Sequence, residues 1–348
     1  MTYKVAILGT GFIANQKHLP AWQRMNGEAK LVALCDVDAQ RGNQIAREFG
    51  IPMAYQDTRE LLEKERPDIV DICTPPKTHA QLAISALEAG AHVLIEKPMA
   101  VSPEECDTVL KAADQTGRKV CVAHSDLFYP SFMRARAAVR EGKIGEFRGM
   151  RIFLSTPIDY ITSKQDHWAH RLPGGVIGET GPHIVYLTLA FLRPILEVRV
   201  QAQKLLREYP WSPFEDYRLE FIGGSATCSA TLTYATKHWA AEVEIWGTDG
   251  ILRADLESQS LVLYRRKQLT PRTVALSALS QVAQPLKGLF TSTVNVVTQR
   301  SFSTHGLLIR EFINSLENGA PPPVPGEDGR DAIRVMNMIV QQLPGTGA

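Results

Sequence analysis

VAILGTGFIAN, residues 5–15, sets a short apolar run directly against G-x-G-x-x-A, with Gly9, Gly11 and Ala14 in the motif positions. An apolar run ended by glycine reads as a strand, and the residues after it as the start of a helix. At such a turn the glycines permit a tight bend. They also let backbone N–H groups, among them those of Phe12 and Ile13, approach a pyrophosphate at the helix N-terminus. The triplet alone is a weak signal, but the next apolar run, KLVALCD (30–36), closes on Asp36, whose carboxylate can accept hydrogen bonds from an adenosine ribose. The plain alternative is a tight-turn glycine pair beside a strand-end Asp. A carboxylate at 36 repels a 2′-phosphate, which favours NAD over NADP; Arg41, about one helical turn beyond, pulls the other way.

Working outward, DIVDICT (68–74), AHVLIEK (91–97) and KVCVAHS (119–125) repeat the apolar pattern. Helical stretches alternate with the runs: LPAWQRM, AQRGNQIAREFG, TRELLEKER, HAQLAISALEAG and SPEECDTVLKAADQTG, the last with Ser102 as N-cap and Gly117 as its end. Strand and helix in this alternation predict an α/β domain over residues 1–122, a doubly wound parallel sheet of the Rossmann kind. Residues 123–348 differ. After one helix (PSFMRARAAVREG) come FRGMRIFLS, LEVRVQAQKL, DYRLEFIGG, SATCSATLTYA, AEVEIWG, ILRADL and SLVLYRR, which predict a second α/β domain with an open, mainly antiparallel sheet. One face of that sheet has too few helices to cover it, so pairing into a homodimer or homotetramer is expected.

Polar residues interrupt the pattern where open α/β sheets bind ligands, at the C-terminal ends of strands. TPPKTH (74–79) follows DIVDIC with Thr74 and Pro75 in a rigid loop; His79 either starts a helix or approaches the cofactor. Glu96, Lys97 and Pro98 end AHVLI, placing a lysine braced by a glutamate where nicotinamide and substrate should meet; a surface salt bridge is the other reading. In WAHRLPGGVIGETGPHIVYL (168–187), Glu179 and His183 are spaced to share a helix face, with Pro182 starting or kinking the helix. A histidine in a first helical turn is kept neutral by the dipole and suits a general base; a capping Glu and a core His would give the same letters.

Composition narrows the partners. The chain has 348 residues, and its 38 Lys plus Arg nearly balance 37 Asp plus Glu, so no global field recruits nucleic acid or an acidic membrane. No apolar run reaches about 18 residues, and VAILG begins too early for a signal segment, so a cytoplasmic protein is expected. Cys35, Cys73 and Cys121 lie in apolar runs without CxxC or CxxH spacing; structural thiols are expected and no metal site.

GTGFIA, TPPKTH, EKP and the GG…E…GPH segment together resemble the Gfo/Idh/MocA family of nicotinamide-dependent oxidoreductases, over essentially the whole chain. EKP with a downstream acid-x-x-x-His is the specific part. The resemblance implies reversible hydride transfer between NAD(P) and a hydroxyl carbon of a sugar, cyclitol or related polyol, with Lys97 and His183 at the reacting hydroxyl. His183 is taken as base and Lys97 as its electrostatic partner. The family's acidic residue is usually Asp, so Glu179 is left with two roles, orienting His183 or binding a substrate hydroxyl. Trp168, Arg171 and, in AHSDLFYP (123–130), His124 fall where relatives line the site, and structural roles fit them equally. Some relatives cleave glycosidic bonds in a redox-neutral NAD cycle, and others only bind nucleotide and sugar as regulators. The presence of both Lys97 and His183 argues against the silent binder.

Residues 258–310 contain no Asp or Glu but carry Arg265, Arg266, Lys267, Arg272, Lys287, Arg300 and Arg310. Leu276, Leu279, Val282, Leu286, Phe290, Val294 and Val297 recur there at helical steps, so a basic amphipathic insertion is expected over about 265–303. Packing on its own domain or a neighbouring subunit is the plain expectation. A cationic arm for phosphorylated or nucleotide-linked sugars is the sharper one, and lipid contact the least favoured.

Overall fold

The computed structural model describes residues 2–25, 27–297 and 303–343, with the side chains of 285–297 excepted. The chain forms two compact units: Met1–Ser125 with Phe302–Arg334, and Asp126–Ser301 with Val335–Ala348. Compactness therefore divides the chain differently from the sequence boundary at residue 122. The segment 302–334 returns to the first unit, and the second division falls inside the helix Gly326–Val340.

The first unit holds six parallel strands, β1 (Tyr3–Leu8), β2 (Ala29–Cys35), β3 (Met53–Tyr55), β4 (Ile69–Ile72), β5 (His92–Ile95) and β6 (Val120–Val122), in the order β3-β2-β1-β4-β5-β6. That is the doubly wound order expected from the alternation, with its reversal between β1 and β4. Five strands were legible as apolar runs; β3, of which only Tyr55 is buried, was not. Val5, Ala6 and Ile7 are 0 % exposed, and every residue of β4 is buried, as strands covered on both faces must be. Each such Val or Ile contributes about 2 kcal/mol by leaving water. The helices start and stop on local chemistry. Ser102 caps Pro103–Thr116 by accepting from Glu105 N, Gly117 ends it in the left-handed region, and Asp38 and Gly50 do the same for Ala39–Phe49. The returning segment adds helix Thr304–Glu317, beside the helix Leu19–Gln23, and a bridge from Pro325 to Cys121 at the β6 edge.

The second unit is built on β7 (Phe147–Pro157), β8 (Ile195–Gln203), β9 (Asp216–Gly223), β10 (Thr227–Thr236), β11 (Ala240–Gly247), β12 (Ile251–Asp255) and β13 (Ser260–Tyr264), ordered β13-β12-β11-β7-β10-β9-β8. All pairings are antiparallel except β7 with β10, so the sheet is mixed. One face buries Met150, Ile152, Leu219, Phe221, Val243 and Ile245; the other carries cross-strand ion pairs such as Arg253–Glu244 and Arg199–Glu220. The expected basic helix is present as Pro271–Val297 and runs through Pro285. It packs on β13 of its own unit, though not through Leu276, Leu279 or Val282. Gln284 exchanges two hydrogen bonds with Leu263 on β13, while Leu276, Leu279 and Val282 are 57, 68 and 62 % exposed. Amide groups satisfy the edge strand here, which apolar side chains cannot do. Arg300, and the side chains of Leu286, Lys287, Phe290, Val294 and Val297, lie outside what is described.

Candidate active site

In the first unit, Gly9 has φ of 88° and donates its N–H to Cys35 O on β2. A Cβ there would sit 2.9 Å from Cys73 O and from Thr74 Cγ2, so only glycine lets the turn lie against the end of β4. A Cβ on Gly11 would meet nothing within 4 Å, which leaves that face of the turn open for a pyrophosphate. Phe12 stands 71 % exposed beside it, and Ile13 leads into the π-helical turn Ala14–His18. Asp36 is buried at the end of β2. Its Oδ2 accepts from Thr10 N and Oγ1 and from Arg41 Nε, and its Oδ1 from Asp38 N and, at 2.6 Å, from Arg41. Burial opposes the charge, but the bonds from Arg41, Thr10 and Asp38 outweigh it and hold the carboxyl at about 2. Arg41, the residue that argued for NADP, is thus held in a two-point pair with Asp36. Glycine turn, open backbone and strand-end carboxylate together fit a dinucleotide with a free ribose diol.

The loop after β4 and the turn after β5 are tied to each other. His79, 0 % exposed, places Nε2 2.7 Å from Thr74 O and Nδ1 2.8 Å from Pro98 O, across the Pro75–Pro76 corner. Burial pushes its pKa down, against the opposing pull of those two carbonyls. The Lys97–Pro98 bond is cis, and Lys97 is half-buried. Glu96 does not face outward. Its Oε2 accepts from Lys97 N at 3.0 Å, and its Oε1 meets His18 Nε2 at 2.8 Å and His305 Nε2 at 3.5 Å. His124, at the end of β6, is 2 % exposed.

In the second unit, Gly174 and Gly175, both with positive φ, turn the chain into helix Ile177–Leu189. The helix begins five residues before Pro182, which lies inside it, so His183 sits in mid-helix and the dipole argument for its basicity does not apply. A different group acts on it. His183 Nδ1 lies 2.6 Å from Asp126 Oδ2 and 2.7 Å from Tyr186 Oη. An ionised carboxylate can only accept, so Nδ1 carries a hydrogen, and the lone pair of the neutral ring is the one on Nε2. Among the described residues Nε2 takes no hydrogen bond, and the side chain is 21 % exposed. Glu179 stands in the first turn of the same helix, Trp168 is 51 % exposed and stacks on His167, and Arg171 is exposed. Asp126 is the partner the sequence did not reveal. It lies inside the quoted AHSDLFYP, two residues from His124, but its partner is 57 positions away.

Residues 3–124 match the family described as "Oxidoreductase family, NAD-binding Rossmann fold" (GFO_IDH_MocA), and residues 132–253 the "GFO/IDH/MocA C-terminal domain". The chain is 26 % identical over 343 residues to a D-apiose dehydrogenase of Paraburkholderia graminis, covering 97 % of this chain and 86 % of that one. It is 25 % identical over 354 residues to an inositol 2-dehydrogenase of Rhizobium meliloti, covering 99 % and 97 %. The WlbA dehydrogenase of Bordetella pertussis, solved with NADH and UDP-GlcNAcA, shares the fold with a TM-score of 0.75 at 18 % identity, over 98 % of this chain and 96 % of that one. With the glycine turn, the EKP turn and both matched regions in place, this chain belongs to the Gfo/Idh/MocA family of NAD-binding oxidoreductases.

Proposed function

We propose that the protein is an NAD-dependent dehydrogenase that moves a hydride between the cofactor and a hydroxyl carbon of a sugar, nucleotide sugar or cyclitol. The observation that carries the reading is His183, whose Nδ1 is fixed by Asp126 while Nε2 stays open and partly exposed. In the oxidative direction the substrate O–H proton passes to Nε2 as the C–H hydride leaves, and Asp126 steadies the imidazolium that results. By the family resemblance Lys97 is assigned the positive charge that supports this step, and Glu179, Trp168, Arg171 and His124 are assigned to substrate contacts. Gly9, Gly11, Phe12, Ile13, Asp36, Thr74 and Pro75 would hold NAD, which when bound supplies the hydride-accepting ring. The relatives' substrates, apiose and inositol, support a polyol, and the nucleotide-sugar complex of the Bordetella enzyme supports the phosphorylated variant. The reading includes a cytoplasmic homo-oligomer. The five cysteines are free and buried, as a reducing compartment allows, and the helix-poor face of the β8–β13 sheet is the pairing surface. Among the described residues no helix is long and apolar enough to cross a membrane.

The test is the absorbance of reduced nicotinamide with NAD and D-apiose, myo-inositol or UDP-N-acetylglucosamine derivatives. Net NADH accumulation supports the dehydrogenase. Release of a glycoside's leaving group without net NADH replaces it with the redox-neutral cycle.

A further inference from the structure

Asp71 lies in β4, a strand with no exposed residue, and a carboxylate there must find partners or neutralise. Its Oδ2 accepts from Trp22 Nε1 at 2.6 Å and meets His18 Nδ1 at 2.8 Å; the Cys73 thiol points at Oδ1. The other nitrogen of His18 lies 2.8 Å from Glu96 Oε1. With an acceptor-only carboxylate at each nitrogen, both must carry hydrogen, and His18 is an imidazolium. That leaves it no lone pair for a cation, although His18, Glu96 and His305 are spaced as metal ligands are. Burial works against the charge on His18, and the Asp71 carboxylate overrides it, raising its pKa well above the ordinary histidine value. Glu96 is likewise penalised by burial but held well below the ordinary carboxylate range by His18 and His305.

Stability alone is a poor account of this cluster, because buried ion pairs can often be replaced by apolar groups at little cost. Position is a better one. His18 ends the turn that begins at the dinucleotide glycines, Asp71 anchors it to β4, and Glu96 passes the constraint to Lys97 through its backbone N–H. We propose that Asp71, His18 and Glu96 form a buried relay that sets the position of Lys97, with His18 as a positioning residue for the reaction. The proposal rests on the role given to Lys97 under the proposed function.

The experiment reads Lys97 directly. NAD-loaded protein is acetylated with trace acetic anhydride between about pH 7 and 10, and the rate at Lys97 is measured by mass spectrometry against the exposed Lys30. His18→Asn is expected to change the relative rate at Lys97 by about threefold or more and to lower kcat with little change in the KM for NAD. Leu61→Ala, a core truncation in the same unit, should lower stability without altering the ratio. An unchanged ratio in folded His18→Asn overturns the relay. Should that variant fail to fold, Asp71→Asn, which keeps the volume and removes one charge, is read by the same ratio with the same two outcomes. Turnover of Lys97→Ala separates the two levels of the argument. If it is kept, the role of Lys97 falls and the relay positions nothing catalytic; if it is lost while the His18→Asn ratio and kcat are unchanged, only the relay falls.

Discussion

Two histidines in this chain each face a carboxylate at hydrogen-bond distance, and they are set up for opposite work. His18 has no exposed surface and a carboxylate at each nitrogen, so both of its protons are held and it keeps no lone pair with which to take one from a substrate. His183 has one nitrogen fixed by Asp126 and the other open at a partly exposed edge. The difference teaches that a charged partner makes a histidine structural or reactive according to what happens at its second nitrogen.

The sharpest way to break that contrast is to remove the reactive member. His183→Ala should cut turnover by about a hundredfold or more while NAD affinity stays within a few-fold, and Lys97→Ala should do the same. Near-normal turnover in the His183 variant would put the two histidines in one class. Asp126→Asn tests the tautomer: an amide can donate to Nδ1 and transfer the hydrogen to Nε2, so a loss of roughly ten- to a hundredfold in kcat is expected, with NAD binding unchanged in a fluorescence titration. Asp36 is a third carboxylate closed by its neighbours, and it should favour NAD over NADP by about tenfold, a preference that Asp36→Ala should erase when both affinities are measured.

The closed histidine also leaves a signature in pH. A raised folded pKa means that the His18 contribution is full below 6.5 and is lost as pH rises through the folded value. The depressed Glu96 contributes fully above 4.5 and is lost as pH falls through its own folded value. Urea midpoints of the wild type should therefore be highest between these limits and decline on the alkaline side, and His18→Asn should flatten that decline. The smallest effect is expected from neutralising Arg265, Arg266 and Lys267 together. Arg265 donates to Lys143 O, Arg266 to Ser277, and Lys267 faces Asp249, so these charges are engaged locally within their own unit. A large, salt-dependent rise in KM confined to phosphorylated sugars would instead give the segment a role in binding.

The parallel sheet was legible because five of its strands are largely buried and sit in apolar runs. β3 escaped because only Tyr55 of Met53–Tyr55 is buried, whereas all three residues of the equally short β6 are. The pairing of β7 with β10 was not legible, because alternation reports which face a residue takes and not the direction of its neighbour. In the candidate site, residues announced by local motifs, such as Gly9, Asp36 and Lys97, stood out. His18, Asp71 and Asp126 did not, because each owes its place to a partner 53 or more positions away. Of the two places left open for Pro182, the start of a helix or a point within it, the structure has the second; the true start was not legible, since a helix whose first turns are glycine-rich, as in GGVIGETG, gives no apolar period to read.

The return of residues 302–334 to the first unit has a consequence for the order in which the chain is made. A ribosome releases β1 to β6 long before it releases His305, the Pro325 bridge to Cys121 or Val324, whose carbonyl accepts from Val122 N. The nucleotide-binding half therefore waits, with Glu96 lacking one of its partners and the β6 edge unpaired, until residues 305–325 have emerged. A chain halted after the second sheet would carry every glycine of the dinucleotide turn and still leave that half unfinished.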